Sequence, residues 1–198
     1  MSRISSFYPG LEQEISGEIR DWSRHALARP NKEYGGLPAC AYAKKAWEED
    51  KVGLSFKYSS SYQPLYTIVS TFDDIYDVVI LVDLIYEKSS KKFHEYLWGL
   101  NEAISEGFFI QKDMWVMGFH PDDEPNDDID DGSFEPEVDT EYAMIFIQRL
   151  SKLQEASDKL RKTGYYEHYF DEEKTAPSFE KRAAFYNKLV EENSYVQS

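Results

Sequence analysis

Apolar residues recur at helical spacing from residue 11 to 28: Leu11, Ile15, Ile19, Trp22 and Ala26, with Glu12, Glu14, Glu18 and Arg24 on other faces. The spacing predicts an amphipathic helix closed by Pro30. Residues 31–36 read as a loop. A second helix is expected to begin at Pro38, where the missing N–H needs no partner, and to run to about Asp50. The period then changes. Val52, Leu54, Phe56 and Tyr58 alternate with Gly53, Ser55 and Lys57, as in a half-buried strand. Pro64 opens a short helix with Leu65, Ile68, Val69 and Phe72 turned inward, and the β-branched run at 78–86 predicts a central strand. Phe93, Leu97, Leu100 and Ile104 form one stripe of a helix over Lys91–Glu106, with Gly107 as its stop. Two further apolar runs, 114–119 and 142–149, read as strands. A helix over Ser151–Thr163 should bury Leu153, Ala156 and Leu160, and a last one from near Ser178 should bury Phe179, Ala183, Tyr186 and Val190.

The element order αα-βαβαββ-αα predicts an α+β fold, a single four-stranded sheet covered by helices, ferredoxin-like or a permuted variant, with helical additions at both ends. Residues 1–170 are expected to form one α+β domain that carries an acidic loop at 122–141, and 171–198 a C-terminal helical extension. A chain of 198 residues is long enough to bury a core of this kind.

Charge changes the picture at one place. The formal net charge is −15, and eleven acidic residues fall between Asp122 and Glu141 with no Lys or Arg from Asp113 to Gln148. Everything outside that segment carries only −4. Without a clustered basic surface, direct nucleic-acid binding is disfavoured, and a basic protein or a cation is the natural complement. The single cysteine, Cys40, leaves no intramolecular disulfide and fits a reducing compartment. No run approaches 18 apolar residues, so no membrane association is expected and the reading is a soluble, cytoplasmic protein.

Candidate chemistry is sparse. On the predicted helix Cys40 would lie near the third position, where unpaired N–H groups favour a thiolate; the alternative is a small apolar residue packed beside Ala39, Ala43 and Trp47. His120 ends a buried strand and is fixed in direction by Pro121, with Asp122 next in line to orient the ring. Together Cys40, His120 and Asp122 suggest a small enzyme or small-molecule-binding domain, with Cys40 as nucleophile or redox thiol and His120 as general base. A second reading is an acidic interaction module, a charge mimic that presents 122–141 to a basic partner. A third is a weak calcium or magnesium site built from Asp122, Asp123 and Glu124 beside His120. The run departs from the calcium-loop pattern: with Gly132 as the sixth position, Ile129 and Val138 fall where oxygen ligands are required.

Three short pieces resemble a bacterial family of unestablished activity, the DUF1415 proteins. They are Leu37-Pro38-Ala39-Cys40-Ala41-Tyr42-Ala43, preceded by Trp22; then Gly118-Phe119-His120-Pro121-Asp122; then Ile147-Gln148-Arg149-Leu150-Ser151. They cover about a fifth of the chain. The family's Cys-Pro order becomes Pro-Ala-Cys here, and the acidic run replaces its Asn- and Ser-rich stretch. The resemblance implies that Cys40 and His120 share a site, and it implies no reaction.

Overall fold

The computed structural model describes residues 8–31, 36–123, 141–168 and 172–196. The chain opens with α1 (Pro9–Trp22), which continues as a π-helical turn over Ser23–Ala28. A two-stranded antiparallel ribbon follows, β1 (Pro30–Asn31) with β2 (Leu37–Pro38), and then the short α2 (Ala43–Glu48). The remaining order is β3 (Val52–Lys57), α3 (Gln63–Thr71), β4 (Val78–Asp83), α4 (Ser90–Ser105), β5 (Trp115–Phe119), β6 (Ala143–Gln148), α5 (Leu150–Arg161), a 3-10 turn at Tyr165–His168, and α6 (Glu172–Val196).

The main sheet is four-stranded and mixed, in the order β3-β4-β6-β5. β3 and β4 pair in parallel with α3 as their crossover, while β6 runs antiparallel to both β4 and β5. β4, α4 and β5 therefore make a split βαβ unit with β6 inserted between its strands. The carboxyl ends of β3, β4 and β5 all lie at one edge, and β6 begins there.

Helices cover both faces. One face joins Val79 and Leu81 of β4 and Ala143, Ile145 and Ile147 of β6 to Leu65, Ile68, Val69 and Phe72 of α3 and Phe93, Leu97, Leu100 and Ile104 of α4. The other joins Ile80, Val82 and Met144 to Ile15, Ile19 and Trp22 of α1. The continuous apolar run in β4 follows from this, because both of its faces are covered. Gly118 on β5 lets α4 come close: a β-carbon there would collide with the Phe93 and Leu97 side chains. Among the described residues no helix is long and apolar enough to cross a membrane.

Five expectations change, one of them near the C-terminus, where α6 begins at Glu172 instead of near Ser178 and leaves Val190 exposed. The second helix begins at Ala43, not Pro38, because Pro38 pairs with Pro30 and the Cys40 N–H bonds the Leu27 carbonyl at 2.8 Å, closing the end of the π turn. Leu11 is exposed, since the buried stripe of α1 starts one turn later at Ile15. In β3 the alternation is right but its sense is reversed: Gly53, Ser55 and Lys57 are buried beneath α3, and Leu54 and Phe56 are half-buried on the α1 side. α5 buries Leu150, Gln154 and Ser157, while Leu153, Ala156 and Leu160 are half-buried; the buried Arg182 of α6 donates to Gln154 Oε1 at 3.3 Å and Ser157 Oγ at 2.7 Å. A polar interface of this kind leaves no hydrophobic period to read.

Candidate functional site

β3 and β4 each end in a charged residue, and the parallel register places Lys57 opposite Asp83. Both side chains point to the α3 and α4 face, by the same two-residue alternation that sends Val79 and Leu81 there. Both are almost fully buried, at 1% and 0% exposure. Lys57 Nζ donates to Asp83 Oδ1 at 2.7 Å and to the Ile85 carbonyl at 3.2 Å, and lies 4.7 Å from the centre of the Tyr62 ring. Asp83 Oδ1 also accepts the Ile85 N–H at 3.1 Å. Asp83 Oδ2 is buried with no hydrogen-bond partner, the one such side-chain atom among the described residues.

The same level continues across the sheet. Asp83 registers with Ala143, the first residue of β6, and His120 lies one position past the last β5–β6 pair, Phe119 with Met144. Lys57, Asp83, Ala143 and His120 thus form a row along the carboxyl edge, and Ala143 keeps its middle low. Crevices outside the carboxyl ends of strands are where open α/β sheets bind ligands.

Aromatic residues from the two crossover segments roof this row: Tyr62 just before α3, Tyr66 on α3 and Tyr96 on α4. The Tyr62 and Tyr96 rings meet at a tilt of 43° with centres 4.7 Å apart, and the Tyr66 and Tyr96 hydroxyls hydrogen-bond at 2.8 Å. Lys88 Nζ lies 4.6 Å from the Tyr62 ring centre and 5.1 Å from that of Tyr96. Lys88 has no carboxylate partner among the described residues, although Glu87 is its neighbour in sequence. Burial and the Asp83 carboxylate beside it push the Tyr62 hydroxyl up to about 12. Its hydroxyl faces Asp83 without closing a well-formed bond to Oδ2. Burial and the Tyr66 hydroxyl also push Tyr96 upward.

His120 is fully buried against Tyr86 and Phe93, with ring centres at 4.8 and 5.5 Å. Its Nε2–H donates to the Lys88 carbonyl at 2.9 Å, and its Nδ1 accepts the Asp122 N–H at 3.1 Å. Both nitrogens are taken by backbone, which leaves none to accept a proton from a nucleophile. The ring instead holds the loop that carries Lys88. Asp122 is exposed, with its carboxylate 3.8 Å from Nδ1. Asp123 accepts hydrogen bonds from Ser90 Oγ, from His94 Nε2 at 2.8 Å and from the His120 N–H at 2.8 Å. Burial works to raise the Asp123 carboxyl, but these donors outweigh it and hold it below the usual carboxylate range.

Cys40 stands elsewhere. It is half-buried in the turn before α2, tied by its N–H to Leu27, which packs on the α1 face, whereas His120 packs into the α4 face. Among the described residues no hydrogen bond or ion pair joins Cys40 to His120 or Asp122. Nor is any group of three His, Cys, Asp or Glu placed to hold a metal ion; Glu124 and most of the acidic loop, residues 124–140, lie outside the described residues.

No protein-family model, curated protein or solved structure matches the chain. The site therefore rests on geometry alone. Lys57, Asp83, Tyr62 and Lys88 escaped the sequence reading, which absorbed the first and second into strand interiors. One signal was present: each of two strands ends on a single charge after an otherwise apolar or small face, and a helix joins them in parallel.

Proposed function

We propose that the protein is a small-molecule-binding domain whose site lies at the carboxyl edge of β3 and β4, with Lys57 and Asp83 as its floor and Tyr62, Tyr96 and Lys88 as its roof. The observation that carries this reading is the buried ion pair with one carboxylate oxygen left unpartnered. A buried pair is a poor source of stability, since apolar residues of similar volume serve as well or better by about 1–4 kcal/mol. An unpartnered buried oxygen costs about 1–3 kcal/mol more. Such an arrangement is expected where a ligand completes it.

The test combines a two-dimensional NMR screen of a metabolite library with a variant in which Lys57→Met and Asp83→Leu are made together. The expected result is a library member that shifts the amide signals of Lys57, Tyr62, Asp83 and Lys88. The double variant should melt at the same or a higher temperature and lose the interaction. A double variant that unfolds, or ligands that shift only signals remote from this edge, would assign the pair a structural role.

A further inference from the structure

Two ammonium groups, Lys57 Nζ at 4.7 Å and Lys88 Nζ at 4.6 Å, approach the ring of one tyrosine, Tyr62. Tyr62 is half-buried and follows Ser59, Ser60 and Ser61, which are all exposed. It is the roof residue next to this solvent-exposed connection and forms the N-cap of α3, where Ser61 Oγ accepts the Gln63 N–H at 3.2 Å. Resting on the reading of this edge as a ligand site, we propose that the occupant takes the place of the Tyr62 ring and is a small organic carboxylate with a hydrogen-bond donor next to its anionic group, a 2-hydroxy carboxylate or a zwitterionic 2-amino carboxylate.

Charge and hydrogen-bond demand both point to this class. Lys57 is paired with Asp83, whereas Lys88 meets only the faces of the Tyr62 and Tyr96 rings, through their quadrupoles. A carboxylate would bond Lys88, whose ammonium donors have no carboxylate partner among the described residues. Asp83 Oδ2, an acceptor in need of a donor, would take the neighbouring hydroxyl or ammonium. Glu87 is exposed and its carboxylate acts on Tyr62 through space, but it makes no ion pair with either lysine and so leaves the Lys88 donors open. His120 contributes by position: its bond to the Lys88 carbonyl fixes the loop from which Lys88 reaches the roof.

Four probes separate the parts of this proposal by NMR titration of the full chain: glycolate, glycine, acetate and methylammonium. Glycolate or glycine should shift the Lys57, Tyr62, Asp83 and Lys88 signals, and whichever binds tells hydroxyl from ammonium. Acetate, lacking the donor, should bind roughly tenfold more weakly, the value of one charge-assisted hydrogen bond. Methylammonium should not bind. Lys88→Met should weaken the better probe by at least about tenfold while the melting temperature holds. Acetate binding as well as glycolate would overturn the donor role of Asp83, and an unchanged Lys88→Met affinity would overturn the anion's position. If all four are silent while a library compound shifts the same signals, the ligand class is wrong and the site stands. Silence from both removes the site as well.

Discussion

Two buried polar constellations lie on the same face of the sheet and are treated differently. Asn101 of α4 donates to the Val116 carbonyl and accepts the Val116 N–H, both at 2.8 Å. β5 is an edge strand, so the Asn101 amide does for it what a further strand would do, and every group involved is satisfied. At the carboxyl edge Lys57 is fully engaged, yet Asp83 keeps one oxygen without a partner under a roof that holds a second cation. Burial and polarity are alike in the two places. Completeness differs, and it separates a residue that serves the fold from one held ready for something else.

The largest effect is expected at Asp83. Asp83→Ala alone leaves the Lys57 ammonium buried and unpaired and should cost about 3–5 kcal/mol by chemical denaturation, whereas joining it to Lys57→Met should recover most of that loss. Equal destabilisation of the single and double variants would place the pair beside Asn101 as a structural device. Asn101→Ala should cost about 2–4 kcal/mol through two unsatisfied backbone groups, with no effect on any ligand shift at the other edge. A ligand affinity that fell with it would tie the two constellations together.

The smallest effect arises through pH. The Tyr62 hydroxyl is raised from 10.0 to about 12 in the fold, so the unfolded chain loses this proton first. Its share of stability is complete below pH 10 and is lost as pH rises towards 12. Tyr58, Tyr96 and Tyr142 are raised as well, so alkaline stability should fall for the whole protein. Tyr62→Phe should flatten part of that decline when melting temperature is followed against pH. An unchanged slope would detach Tyr62 from Asp83.

Much of the fold was legible in the chain. The stripes Leu65-Ile68-Val69-Phe72 and Phe93-Leu97-Leu100-Ile104 announced α3 and α4, because apolar residues three and four apart fall on one face of an α-helix and on no single face of a strand. The apolar runs gave the four strands within a few residues. Helices turned by polar contacts were harder to read: the buried face of α5, with Gln154 and Ser157 under Arg182, carries no hydrophobic signal. The candidate site was less legible still. His120 stands at the end of its strand as the sequence suggested, but with both ring nitrogens bonded to backbone, while Asp123, the second of the acids that drew attention, anchors the start of α4.

The sequence by itself determined the element types, the helical cover of the sheet and the concentration of most of the negative charge in one segment, since each is a matter of local period or composition. Only the tertiary structure decided that Lys57 and Asp83 meet. They lie 26 residues apart and pair through a parallel register that no local pattern encodes. The same holds for the reversed sense of β3: alternation fixes that two faces differ, and the helix packed on each face fixes which of them is buried.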